Sequence, residues 1–183
     1  MKLDKQKNRP YFFEPYNPKW IVEFNELKEK LSNVFGNIAL SIEHVGSTSI
    51  PGMLSKPIID VLITVSNLGE LEDEKKKMTE MGYEWGENYI APETLIFFKE
   101  GPNGEKTENI HVVVEGTPKA IQFITTRDYL KMHPDRARAY GDLKTKLKEE
   151  YPDDYPAYRN GKKKFLEETE RLTKEWLANK KVG

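Results

Sequence analysis

A Gly-Ser-Thr turn, Gly46-Ser47-Thr48, follows an apolar stretch, and a Lys-Pro pair, Lys56-Pro57, then leads into Ile58-Ile59-Asp60-Val61-Leu62. Glycine lets a backbone approach an anion closely, and hydroxyls with unpaired N–H groups can hold phosphate oxygens. An ordinary turn between a strand and a helix needs the same residue types. The spacing is not that of a P-loop, which requires Gly-Lys-Ser/Thr at its end. Asp60 is an acid inside an apolar run. Burying a carboxylate unpaired is costly, so it needs a metal, a cation or several N–H donors, or a place at the strand's mouth where it caps a loop. Lys56 can pair with Asp60 or reach a phosphate; it can equally be a solvated lysine at a loop end.

The chain has three histidines. His44 adjoins the Gly-Ser turn. His111 begins Ile110-His111-Val112-Val113-Val114-Glu115, where alternation puts His111, Val113 and Glu115 on one face. A histidine and an acid from neighbouring strands can ligate one metal; a hydrogen-bonded core histidine is the alternative. His133 precedes a proline at a helix junction and reads as structural. Towards the C-terminus, Arg127 is followed by two pairs at i, i+4 spacing, Tyr140 with Lys144 and Tyr158 with Lys162. A ring beside a cation suits a base and its phosphate, and also suits plain packing on a helix surface.

These residues must be positioned by regular elements. Asn17-Pro18 reads as a helix start, and Trp20, Ile21, Phe24, Leu27, Leu31, Val34 and Phe35 recur at helical spacing, giving a helix over 18–35 that Gly36-Asn37 ends. Strands are expected over 38–45, 57–65, 83–90, 94–99 and 109–114, with a charged helix over 69–81 and a hairpin turn at Gly101-Pro102-Asn103-Gly104. Alternation places Asp60, Leu62 and Thr64 on one face of the second strand. Helices follow over 118–131, 134–150 and 155–180. The pattern is an α+β protein: a mixed sheet flanked by helices, with C-terminal helices packed on it. One domain over 1–183 is expected, its sheet core at about 18–116 and its helical section at about 117–183.

Composition narrows the chemistry. The 183 residues carry 29 Lys and Arg against 30 Asp and Glu, a net charge of −1, so nothing pulls the chain globally towards nucleic acid or an anionic membrane. There is no cysteine, which excludes disulfides, thiol catalysis and cysteine-based zinc sites and fits a reducing compartment. The first residues show no apolar signal region and no run approaches a membrane span, so a soluble cytoplasmic protein is expected. No Gly-x-Ser-x-Gly, His-Glu-x-x-His or Gly-x-Gly-x-x-Gly occurs.

The segment His44-Val45-Gly46-Ser47-Thr48-Ser49-Ile50-Pro51-Gly52, followed by Lys56-Pro57-Ile58-Ile59-Asp60, resembles the signature of the GrpB family, also called UPF0157. The resemblance starts at Tyr16-Asn17-Pro18-Lys19-Trp20 and runs on through Ile110-His111-Val112-Val113, Arg127-Asp128-Tyr129-Leu130 and His133-Pro134 to Tyr158 and Lys162. That family is similar to the nucleotidyltransferase superfamily of the polymerase-β type, and occurs fused to dephospho-CoA kinase in some bacteria. The resemblance implies a Gly-Ser turn holding the phosphates of a nucleoside triphosphate and strand acids holding divalent metal. Gly46 and Ser47 would bind phosphate and Asp60 would be the first metal ligand. The chain departs from the superfamily at Leu62, which stands where a second acid is expected, and at His111, which takes the place of a third. One Asp and one His are a poor set for Mg²⁺ and suit a softer ion such as Mn²⁺ or Zn²⁺.

The expected site therefore has Asp60 and His111 as catalytic and metal-binding residues, and Gly46, Ser47, Thr48 and Lys56 around phosphate. His44, Arg127, Tyr140, Lys144 and Lys162 would contact the rest of the substrate. Glu43 and Glu115 are candidates to supplement the ligands. Three functions compete: metal-dependent transfer of a nucleotidyl group from a nucleotide to a small acceptor, binding of a nucleotide or CoA precursor without turnover, and a protein-interaction role for the charged helices over 134–180.

Overall fold

The computed structural model describes residues 11–88 and 90–180; residues 1–10 and 181–183 of the expected domain lie outside the described residues. Helix α1 (Lys19–Phe35) begins where the Asn17 side chain accepts a hydrogen bond from the Lys19 N–H at 3.1 Å. Its buried stripe of Trp20, Phe24, Leu27, Leu31, Val34 and Phe35 lies along one face of a five-stranded sheet. The strands are β1 (Ser41–Val45), β2 (Ile59–Val65), β3 (Glu84–Glu87), β4 (Thr94–Glu100) and β5 (Lys106–Val114). They are ordered β1-β2-β5-β4-β3, with β2 and β5 parallel and all other neighbours antiparallel. Helix α2 (Glu72–Glu80) shares the α1 face through Met78.

Strand β2 is buried on both faces, as its continuous apolar run requires. Ile59, Val61, Ile63 and Val65 pack with α1, whereas Leu62 packs with Val45, Val113 and Ala120 under helix α3 (Pro118–Met132). Each such side chain contributes about 1.5–3 kcal/mol of burial free energy. Helix α3 also packs on α4 (Pro134–Glu150) and α6 (Lys163–Lys180), so it joins the sheet to the C-terminal helices. The α+β architecture of a mixed sheet with flanking and C-terminal helices is therefore present as read from the sequence.

Several boundaries differ from that reading; β2 starts at Ile59 and α2 at Glu72, later than expected. The stretch 36–38 is a 3₁₀ turn, so β1 starts only at Ser41. Strand β3 stops at Glu87 because Asn88 takes a positive φ of 52°. Strand β5 starts at Lys106, directly after the hairpin turn closed by Gly104 N–H to the Gly101 carbonyl. The helix expected over 155–180 is two helices, α5 (Tyr155–Gly161) and α6, with Lys162 between them. Leu147 of α4 packs against Gly161 so closely that a Cβ there would lie 3.0 Å from Leu147 Cδ1. The Lys162 N–H bonds back to the Arg159 carbonyl, where α5 ends.

Candidate ligand-binding site

At the end of β1, Gly46 takes φ of 72° and turns the chain into the 3₁₀ turn Ser47–Ser49. Ser49 Oγ donates to the Gly46 carbonyl at 2.6 Å, and Thr48 Oγ1 donates to the Ile58 carbonyl at 3.0 Å, tying the turn to the entry of β2. With its one hydrogen spent, Thr48 Oγ1 accepts from His44 Nε2 at 3.1 Å. His44 stacks on Phe24 at 4.7 Å, and burial pushes its imidazole down to about 4, so it is neutral near pH 7. His44 thus supports the turn from the α1 side and does not line the cavity described below, contrary to its expected contact with substrate. The cause is strand alternation: His44 shares the face of Ile42, which packs with α1.

Asp60 lies against this turn. A Cβ on Gly46 would fall 2.8 Å from Asp60 Cβ and closer still to Oδ2. Asp60 pairs across the sheet with Asn109, whose side-chain amide donates to Asp60 Oδ1 at 2.9 Å. His111 Nε2 stands 3.8 Å from the same oxygen, beyond a hydrogen bond but close enough for charge coupling. Burial alone would raise the Asp60 carboxyl, but His111, Asn109 and the charge of Lys56 outweigh it and hold the group below its ordinary value. His111 packs on Phe123 at 4.8 Å, and its Nδ1 is buried without a partner.

Leu62, directly opposite His111 on the neighbouring strand, is wholly buried in the apolar cluster with Val45, Val113 and Ala120. Neither glutamate compensates. Glu43 is held by Arg127 Nη1 at 2.8 Å, and Glu115 is exposed just past the end of β5. Among the described residues no three His, Cys, Asp or Glu side chains gather as a metal group would. Asp60 and His111 offer two donors, one oxygen of which already accepts from Asn109. That set does not fit two divalent ions, which several carboxylates must neutralise.

What converges on the turn is cationic. A cavity of about 330 Å³ is lined by Gly46, Ser47, Thr48, Lys56, Asp60 and His111 on the sheet side, and by Tyr140, Lys144 and Lys162 from the C-terminal helices. Lys144 is 3% exposed; its Nζ donates to the Leu54 carbonyl and lies 3.4 Å from Ser47 Oγ and 4.7 Å from the Tyr140 ring centroid. Burial, then the charges of Lys162 and Lys56, push its amine down to about 7. Lys162 lies 4.6 Å from the Tyr158 ring, and burial followed by the charge of Lys56 lowers it to about 8. Lys56 donates to the Tyr155 hydroxyl at 2.9 Å. The break between α5 and α6 places Lys162 at this cavity.

Arg127 is not brought to the cavity. It sits in ion pairs with Glu43 and Asp128, each at 2.8 Å, and donates to the His44 carbonyl at 3.1 Å, which locks α3 to β1. Tyr158, read with Lys162 as a ring beside a cation, lines the cavity, and residues that sequence reasoning missed join it: Asn109, Tyr11, Tyr155 and Arg159. Extending the His111 alternation backwards by two would have found Asn109. The Tyr158 hydroxyl is buried without a partner.

A mixed five-stranded sheet with helices on both faces, and a lysine-lined cavity over a single strand acid, defines an α+β protein with a pre-formed cationic pocket. The family model described as GrpB protein matches residues 11–171, and the chain belongs to that family. It is 39% identical over 162 residues to the UPF0157 protein YqkA of Bacillus subtilis, a match that takes in 88% of this chain and 46% of that protein. The crystal structure of conserved protein GrpB from Enterococcus faecalis superposes with a TM-score of 0.84 at 28% identity, covering 90% of this chain and 99% of that one. A dephospho-CoA kinase of Mycolicibacterium paratuberculosis is 23% identical over 190 residues, 91% of this chain and 47% of the kinase. The chain thus spans about half the length of the Bacillus and mycobacterial relatives.

Among the described residues, no helix is long and apolar enough to cross a membrane.

Proposed function

We propose that the chain binds a phosphorylated small molecule, a nucleotide or similar phosphate ester, in the cavity between the turn at Gly46-Ser47-Thr48 and the lysines of α4 and the α5–α6 junction. The observation that carries this reading is the convergence of Lys56, Lys144 and Lys162 on one cavity, two of them with amines lowered to about 7 and about 8. Like charges crowded out of water are stabilised by an anion placed among them. Gly46 and Ser47 would meet the phosphate from the sheet side, with Lys144 and Lys162 opposite. Helix α3 would tie the sheet core at about 18–116 and the helical section at about 117–183 into one unit.

Binding without metal-driven turnover fits the donor set better than nucleotidyl transfer, because Leu62 closes the position of a second acid with an apolar cluster. Asp60 and His111 are the residues that would face a single softer ion, Mn²⁺ or Zn²⁺, if the ligand brought one. The match to a dephospho-CoA kinase favours a CoA precursor as a second candidate ligand. A thermal-shift panel tests all three readings: inorganic phosphate, pyrophosphate, ATP and dephospho-CoA, each with Mg²⁺, Mn²⁺, Zn²⁺ or chelator. A ligand at about 100 times its Kd adds about 2.7 kcal/mol. Stabilisation by phosphate compounds in chelator is expected. Silence across the panel would refute binding, and metal-dependent product formation would put transfer first.

A further inference from the structure

We propose that Lys144 is a covalent residue, whose ε-amine condenses with the carbonyl carbon of a phosphorylated aldehyde or ketone seated in the cavity. The inference rests on the phosphate-binding reading above and adds a substrate class to it. An amine nucleophile needs a lone pair free of a proton, a buried setting and an electrophile held beside it. Lys144 is 3% exposed, lines the cavity, and has Ser47 Oγ at 3.4 Å.

The groups facing Lys144 are the Leu54 carbonyl, the Ser47 hydroxyl, the Tyr140 ring, Lys56 and Lys162. Among the described residues no carboxylate pairs with it. The contrast with Lys75 is direct: that lysine is also buried, but Glu72 and Glu87 hold its ammonium, each at 2.8 Å. The two cavity lysines also differ from each other. Asp60 and Tyr155 favour the charged form of Lys162, whereas the charges acting on Lys144 only oppose it. Near neutral pH the division follows: Lys162 stays an ammonium and holds phosphate, while a large share of Lys144 is neutral amine.

The step balances with water as the only leaving group. The Nζ lone pair adds to the carbonyl carbon, and Nζ passes one of its two protons to the carbonyl oxygen, with the Ser47 hydroxyl, 3.4 Å from Nζ, placed to relay it. The resulting carbinolamine takes one proton from solvent and loses its hydroxyl as water, leaving a protonated C=N bond at Nζ. The protonated imine keeps one N–H for the Leu54 carbonyl, so no buried acceptor is orphaned.

Pyridoxal 5′-phosphate supplies the probe and pyridoxamine 5′-phosphate its amine counterpart, both used on the full chain. Borohydride trapping followed by peptide mass spectrometry should find the adduct at Lys144, roughly 10-fold over any other lysine, because its amine is 3% exposed, lines the cavity and is lowered to about 7. Excess pyrophosphate should suppress it, and Lys144→Met, checked for folding by its melt, should lose it. Suppression by pyrophosphate in the unaltered protein keeps the test valid if that variant does not fold. If pyridoxamine 5′-phosphate or pyrophosphate stabilises the protein while the trapped label is absent from Lys144 or spread over surface lysines, the imine is overturned and phosphate binding stands. If neither compound binds and nothing is trapped, both readings fall.

Discussion

The Asp60 side chain occupies the space that a side chain on Gly46 would need: a Cβ built on that glycine lies 2.8 Å from Asp60 Cβ. Gly46 also holds φ of 72° with ψ of −174°, a region essentially confined to glycine that costs an L-residue about 1–3 kcal/mol. Gly52 separates the two constraints, since it has φ of 76° with nothing within 4 Å of its Cβ position. Gly52→Ala should therefore lose only the conformational part, and Gly46→Ala at least about 1 kcal/mol more. Denaturant midpoints at constant m-value measure both; equal losses would mean that Asp60 does not constrain the turn.

The parts of this arrangement that could be read from the chain are those with local signatures. A turn that needs a left-handed glycine and a strand that buries an acid both mark their own residues, so Gly46 and Asp60 stand out unaided. Alternation put Asp60 and Leu62 on one face, and the cluster of Leu62 with Val113 and Ala120 lies there. Arg127 lies away from the cavity because it bonds Glu43, 84 residues distant, and nothing local distinguishes a structural arginine from a phosphate-binding one. The break at Lys162 carries no local signal such as a proline, although Gly161 before it does meet Leu147 of another helix. Tyr140 and Lys144 could pass for surface packing until tertiary contacts buried both, at 7% and 3% exposure.

The lysines predict a pH dependence with opposite signs in the free and bound protein. Lys144 and Lys162 lie near 7 and 8, below the ordinary 10.5. Phosphate binding favours their protonated forms, so affinity for pyrophosphate should fall as pH rises from about 7 to about 9, with proton uptake on binding. Titration calorimetry in buffers of different ionisation enthalpy reads both quantities. Without ligand, the unfolded chain holds protons between these values and 10.5 that the native state lacks. The contribution of these groups to stability therefore rises with pH across that window. An affinity that is flat with pH would remove Lys144 and Lys162 from the binding site.

Arg127 and Lys162 should behave as opposites. Arg127 is 13% exposed and shares its ion pairs with Glu43 and Asp128, which are 42% and 43% exposed. Water already screens the two acids, so Arg127→Met should cost about 1–3 kcal/mol, and pyrophosphate affinity should be unchanged. Lys162→Met removes a charge that burial opposes, so stability should hold or rise while affinity drops roughly 10-fold or more. Melting curves with and without pyrophosphate separate the two; weaker binding in the Arg127 variant would return that residue to the site.

Asp60→Asn decides between a pocket that only binds and one that works through a metal. The Asp60 carboxyl is held below 3.8 despite burial, so its charge stabilises the fold above that pH, and the stability is lost as pH falls through the lowered value. The variant should be less stable at pH 7, and the gap should close in acid. Ligand affinity points the other way. If the lysines alone hold the phosphate, removing the Asp60 carboxylate beside them lessens its repulsion, and pyrophosphate should bind at least as tightly as before, in chelator and in Mn²⁺ alike. If Asp60 instead presents a divalent ion to the phosphate, the unaltered protein should bind more tightly in Mn²⁺ than in chelator, and Asp60→Asn should abolish that difference. Calorimetric titration of both proteins under both conditions gives four affinities. A gain in Mn²⁺ that only the aspartate form shows would overturn the metal-free reading and restore Asp60 as a ligand.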